Sequence, residues 1–180
     1  MYLANNSRPD IALSVSLLAR FSSSPTQRQW NGIKHIFRYL RETTDMSLFY
    51  SNESKSTLVD YADAGYLFDP HKTRSQTGYL FTCGGTTISW RSTKQTMIST
   101  SLNHVEIIAI HEASRECIWL RSITQHIQEI CGLSLKENIP TTLYEDNVEC
   151  ISLLKGGYIR GDITKHISPK FFFTHDLQKE

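Results

Sequence analysis

The spacing of apolar residues changes along the chain, and each change marks a change of predicted structure. Ile11, Leu13, Val15, Leu17, Leu18 and Phe21 form an apolar stretch after Pro9, and Ser22-Ser23-Ser24-Pro25 breaks it. Ser24 suits an N-cap and Pro25 a first helical position, where no amide partner is needed. Behind it Trp30, Ile33, Ile36, Phe37 and Leu40 fall three and four apart, one face of a helix ending near residues 43–45. Strand patterns follow, first the short apolar run Leu48-Phe49-Tyr50, then Thr57 to Tyr61 leading into Ala62-Asp63. Thr77 to Cys83 and Thr86 to Trp90 flank Gly84-Gly85, a hairpin signal. Asn103 to about Ile130 predicts a long amphipathic helix with Ile107, Ile110, Cys117, Leu120, Ile123, Ile127 and Ile130 on one side and Gly132 as its stop. Thr141 to Tyr144 predicts a strand, and Asn147 to Lys155 a short helix ended by Gly156-Gly157.

From Thr57 onward the order is therefore strand, strand, strand, long helix, strand, helix. Short connections make the first three strands antiparallel, and a helical crossover makes the fourth parallel to the first. The fold class is α/β, with helices packed on a mixed sheet.

Composition adds limits. With 180 residues the chain can bury a real core, and no apolar run approaches the ~20 residues a membrane span needs. The N-terminus lacks a basic segment leading into an apolar one, so an intracellular protein of cytoplasm or nucleus, not a secreted one, is expected. A net charge of +1 means that any nucleic-acid site must come from local clustering. Cys83, Cys117, Cys131 and Cys150 are widely spaced, which favours reduced thiols over a zinc site or disulfide framework.

Three acids stand where a two-metal nuclease would need them. Such a site gathers carboxylates from different elements around two divalent ions about 3.5–4 Å apart, and carboxylate oxygens suit a hard ion such as Mg²⁺. Asp63 falls at the end of the first main strand, Glu106 in the first turns of the long helix, and Asp146 directly after the fourth strand. Parallel first and fourth strands would bring Asp63 and Asp146 side by side. Taken singly, each acid reads as a solvated charge, a turn or a helix cap.

Ordered strings then carry a family resemblance. Leu58-Val59-Asp60-Tyr61-Ala62-Asp63-Ala64 resembles the "Y-S-D-A-D-W" element of copia-type RNase H domains, and Thr73 to Phe81 their "R-K-S-T-S-G-Y-V-F" hairpin. Ile88 to Gln95 is similar to "I-S-W-K-S-K-K-Q", Val105 to Ala109 to "A-E-Y-I-A", and Trp119-Leu120-Arg121 to "W-L-R". Leu143-Tyr144-Glu145-Asp146-Asn147 resembles "I-Y-C-D-N", and Thr164 to Ile167 "T-K-H-I-D". Upstream, Arg8-Pro9-Asp10-Ile11 and Arg38-Tyr39-Leu40 resemble "T-R-P-D-I" and "R-Y-L" near the end of the reverse transcriptase. Together these strings span nearly the whole chain.

The resemblance implies a piece of a copia-type retrotransposon Pol polyprotein. Residues 1–50 would be the helical tail of the reverse transcriptase, a two-helix extension, and residues 51–180 an RNase H-like domain. It implies Mg²⁺ or Mn²⁺ held by Asp63, Glu106 and Asp146, and cleavage of the RNA strand of an RNA–DNA hybrid. The rest of the Pol polyprotein would be a partner. Departures stand at Gly65, Tyr66, His104 and Ser168. The family's fifth strand, expected beside the first strand, and the helix bearing its fourth acid have no match here. The expectation is thus an incomplete domain with little or no cleavage by the chain alone. The alternatives are a non-catalytic remnant that binds nucleic acid or a partner weakly, and an interaction protein that kept the fold without the site.

Further residues divide between roles. Arg74, Arg91, Lys94, Gln95 and Asn147, with Lys72 and Arg115, could meet phosphates of nucleic acid or form an ordinary polar surface. His104 reads as a helix-start histidine or a group near the hybrid. His111-Glu112 begins a zincin-like string, but Arg115 stands where its second histidine is needed. Trp90, Trp119 and Tyr79 are expected in the core, and Phe171 to Phe173 exposed for want of a covering segment.

Overall fold

The structure, a computed structural model, describes residues 1–51, 57–66, 74–97, 99, 101–132, 140–157 and 167–179. Lys72, Thr73 and Thr164 to His166 lie outside the described residues. Four strands form one mixed sheet: β1 (Leu58–Gly65), β2 (Gln76–Cys83), β3 (Thr86–Lys94) and β4 (Thr142–Tyr144), in the order β3-β2-β1-β4. The β2–β3 hairpin turns at Gly84 and Gly85, whose φ values of 59° and 82° suit a residue without a side chain. As expected, β1 pairs antiparallel with β2 and parallel with β4. β1 therefore has a neighbour on each side, and the free edges among the described residues belong to β3 and β4. No further strand can pair beside β1, which corrects the expected location of the family's fifth strand.

The long helix α4 (Leu102–Ile130) lies on one face of this sheet. Its first half is buried, and Ile107, Ile110, Ala113 and Leu120 share a core with Tyr79, Phe81 and Ala62. The expected apolar stripe continues beyond this core, yet Ile123 and Ile127 are exposed and Ile130 is 72% exposed. The reason is length: 29 residues of helix run roughly 43 Å at 1.5 Å per residue, whereas an eight-residue strand spans about 26 Å. The helix outruns the sheet. Trp119, expected in the core, is likewise 54% exposed, whereas Tyr79 is buried as expected.

Two shorter helices close the core, α5 (Val148–Gly156) and α6 (Ser168–Leu177). The expectation for Phe171 to Phe173 is corrected in part. Phe171 is fully buried against the main core, because α6 packs on α4, while Phe172 and Phe173 stay exposed.

The segment before the sheet holds more than two helices: α1 (Tyr2–Asn6), a 3₁₀ turn (Pro9–Ile11), α2 (Ala12–Ala19) and α3 (Gln27–Glu42). Pro9 cannot continue α1 and opens the 3₁₀ turn instead. α3 is capped by Thr26 and not Ser24, through a capping box with Gln29 that leaves Pro25 outside the helix. Leu48-Phe49-Tyr50 forms no strand; Tyr50 Oη donates to the Thr87 carbonyl at 3.2 Å. Arg8 joins the ends of this segment, donating to the Thr43 carbonyl at 3.1 Å and pairing with Asp10, which also accepts from Tyr39. α2 docks on the sheet, where Gln76 Nε2 donates to Ser16 Oγ at 3.0 Å, and α1 is tied to it by Trp90 Nε1, which donates to the Ala4 carbonyl at 2.7 Å. Trp90 is half-buried there.

Candidate metal centre

The β1–β4 register decides the site. Val59 pairs with Thr142, Asp60 with Leu143 and Tyr61 with Tyr144. Continued two residues past the ladder, the same register sets Asp63 beside Asp146. Asp63 stands within β1, not at its end, and on the exposed phase of a strand whose Asp60, Ala62 and Ala64 are buried. Glu106 comes from the second turn of α4, which Ser101 caps by accepting the His104 N–H at 3.3 Å. One carboxylate oxygen from each of Asp63, Glu106 and Asp146 lies within 4.8 Å of the other two.

This meeting is electrostatically expensive. Glu106 is only 4% exposed, and its Oε2 is buried without a hydrogen-bond partner. Burial pushes its carboxyl up to about 8, the charges of Glu145, Asp63 and Asp146 push the same way, and the Ala64 N–H offsets part of this. Acids crowded out of water need protons or a cation between them. Three oxygen donors with an orphaned buried oxygen fit a hard divalent ion such as Mg²⁺ or Mn²⁺.

A fourth acid went unnoticed in the sequence. Glu145 holds the turn after β4: its Oε1 accepts the Asn147 N–H at 3.2 Å, while Oε2 is buried and unpartnered. Burial first, then Asp146 and Asp63, push its carboxyl up to about 7. The signal was an extra acid adjoining Asp146, in the string whose counterpart has Cys.

The expected nucleic-acid contacts separate. The pairing of Gly65 with Gln76 and of Gln76 with Lys94 puts Arg74 and Lys94 at the same end of the sheet as Asp63. Arg91 is exposed on β3, in a cleft shared with Glu112, Arg115, Glu116 and Trp119. Gln95 is buried instead, and its Nε2 donates to Thr77 Oγ1 at 2.9 Å and to the Val105 carbonyl at 3.1 Å, tying β2 to the start of α4. Asn147 caps α5 by accepting the Cys150 N–H at 2.9 Å, and its Nδ2 donates to Asn103. His111 packs edge-on against Phe173, and burial, with nearby Lys170, pushes it down to about 4, consistent with a neutral packing residue between α4 and α6.

Known proteins give these strings a setting. The chain is 36% identical over 177 residues to the retrovirus-related Pol polyprotein from transposon TNT 1-94 of Nicotiana tabacum, covering 98% of this chain and 13% of that protein. It is 30% identical over 166 residues to the Pol polyprotein from transposon RE2 of Arabidopsis thaliana, covering 92% of this chain and 11% of that protein. It is also 38% identical over 120 residues to secreted RxLR effector protein 161 of Plasmopara viticola, covering 67% of this chain and 84% of that protein. The chain thus spans about an eighth of the Pol polyproteins it matches. No protein-family model matches it, and no solved structure does. No helix among the described residues is long and apolar enough to cross a membrane. A mixed sheet whose sequence aligns almost end to end with two such polyproteins makes this chain a member of the copia-type, retrovirus-related Pol polyprotein family.

Proposed function

We propose that this part of the Pol polyprotein is an RNase H-like domain whose acids cleave the RNA strand of an RNA–DNA hybrid. One observation carries the reading: Asp63, Glu106 and Asp146, far apart in sequence, bring ligand oxygens within 4.8 Å of one another. In this reading the three residues hold Mg²⁺ or Mn²⁺. When bound, the ions supply Lewis-acid stabilisation of the charge that develops on a scissile phosphate. The protein's own work is positioning. β1 and β4 fix Asp63 and Asp146, and Gln95 and Ser101 hold the start of α4, hence Glu106. Arg74 and Lys94, at the same end of the sheet, suit the hybrid's phosphates. The domain acts beside the rest of its polyprotein, inside the cell where nucleic acid is.

Calorimetric titration of the purified chain with Mn²⁺ tests the centre. Binding is expected, and Asp146→Asn should weaken it at least tenfold. No binding up to about 10 mM, beyond the weakest ordinary carboxylate sites, would sink the reading. With a labelled hybrid, any cleavage of the RNA strand should require the ion and vanish in Asp146→Asn; cleavage that survives would come from elsewhere.

A further inference from the structure

Glu145 has more reach than its turn requires. Closing that turn needs one acceptor for the Asn147 N–H, and Oε1 supplies it at 3.2 Å. Oε2 is left buried and unpartnered, as is Oε2 of Glu106, a side chain only 4% exposed whose carboxylate is aimed at Asp63 and Asp146. Two carboxylate oxygens, one from α4 and one from the turn after β4, are thus buried with no donor among the described residues to meet them. Such oxygens are costly unless a proton or a cation stands between them. Chain adjacency brings the two groups together: Glu145 adjoins Asp146, whose carboxylate oxygen lies within 4.8 Å of one from Glu106, and among the charges acting on Glu106 that of Glu145 is the largest. Glu145 does not belong to the tight cluster of three, so it suits a second ion beside the first.

We propose that Glu145 is a fourth carboxylate of the centre, serving with Glu106 to hold the second of two divalent ions, directly or through a water. This rests on the metal-centre reading above and deepens it. It makes adjacent residues, Glu145 and Asp146, both part of the ion site, one facing each ion.

Mn²⁺ titration of the full chain, followed by calorimetry and by electron paramagnetic resonance, separates the possibilities. Glu145→Gln keeps a carbonyl oxygen for the Asn147 N–H and removes only the charge, so the turn is retained. Glu145→Ala removes both, and circular dichroism confirms which variants are folded. The wild type should bind two ions with a spin-coupled signal. Either folded variant should bind one ion, with the second weakened at least tenfold and the coupling lost. A folded variant that binds two ions with unchanged affinities overturns the proposal, and so does a wild type that binds only one. A wild type that binds none would instead overturn the metal centre itself.

Discussion

Two buried carboxylates, in two regions of the molecule, have the same burial and opposite meaning. Asp60 sits in the middle of β1, fully buried, and neither of its oxygens accepts a well-formed hydrogen bond. Glu106 sits at the start of α4, nearly as buried, with an unpartnered oxygen of its own. Burial drives both carboxyls upward, Asp60 to about 7 and Glu106 to about 8. What differs is company. Around Glu106 stand Asp63, Glu145 and Asp146, an arrangement that a cation would repay. Among the described residues Glu116 is the acid that adds to the push on Asp60, and the Cys117 thiol lies close enough to feel its charge. A buried charge marks a site when other ligands converge on it; alone, it is a cost to the fold.

The comparison can be broken most decisively with Mn²⁺. Glu106→Gln should lower Mn²⁺ affinity about a hundredfold, roughly 3 kcal/mol, while Asp60→Asn leaves it unchanged; titration calorimetry checks both. Equal losses in the two variants would mean that the carboxylates are not different in kind.

Next in size is stability at pH 8 without metal. Both carboxyls have folded values raised above their unfolded ones, so the folded chain binds more protons. Their contribution is complete below the unfolded values near 4 and is lost as pH rises through the folded values near 7 and 8. Asp60→Asn should therefore stabilise the chain at pH 8 and not at pH 4. A folded carboxyl near 7 against an ordinary one near 4 sets a ceiling of about 4 kcal/mol, and the still unpartnered amide takes back about 1–3 kcal/mol, leaving about 2 kcal/mol. Thermal melts across pH 4–8 read this directly, and an unchanged profile would show that Asp60 finds a partner or water. In the wild type, Mn²⁺ should flatten the part of the profile that belongs to Glu106 and leave that of Asp60.

The smallest effect sharpens the contrast from the other side. Glu116 bears on Asp60 through space while accepting from Ser89 Oγ at 2.7 Å. Glu116→Gln should let the folded value of Asp60 fall slightly, so that its loss of stability ends at a slightly lower pH, with a gain at pH 8 of a few tenths of a kcal/mol at most. A large change would mean that the two acids share a proton.

Much of this was readable beforehand in particular places. The Gly84-Gly85 hairpin, the parallel return of β4 and the start of α4 follow from local period and turn chemistry, and the structure has all three. Asp63, Glu106 and Asp146 could be named because each falls on or beside a different element of the strand and helix order, in a string that resembles the family's. Glu145 was hidden because an acid beside an acid looks like surface charge until its oxygen is found buried. Gln95 looked like a phosphate contact because its neighbours are basic, yet its N–H still bonds the Ser75 carbonyl next to β2 and its side chain reaches Thr77 and Val105 in the interior. Ile123, Ile127 and Ile130 fit an apolar stripe, but no pattern along a helix reports how far the sheet beneath it extends; Trp119, beside the buried Leu120, lies in the cleft with Arg91 and Glu116.

What the amino-acid sequence determined alone is the order and type of the elements from Leu58 to Gly156 and the family to which they belong; the helix α6 was not among them. These depend on neighbours a few residues apart, whose preferences act before any fold exists. Which carboxylates meet, which one is stranded, and which apolar residues stay wet were decided only by the tertiary structure. Those outcomes depend on the β1–β4 register, which pairs residues some eighty positions apart, and on the reach of α4 over a short sheet, and neither is visible in local spacing.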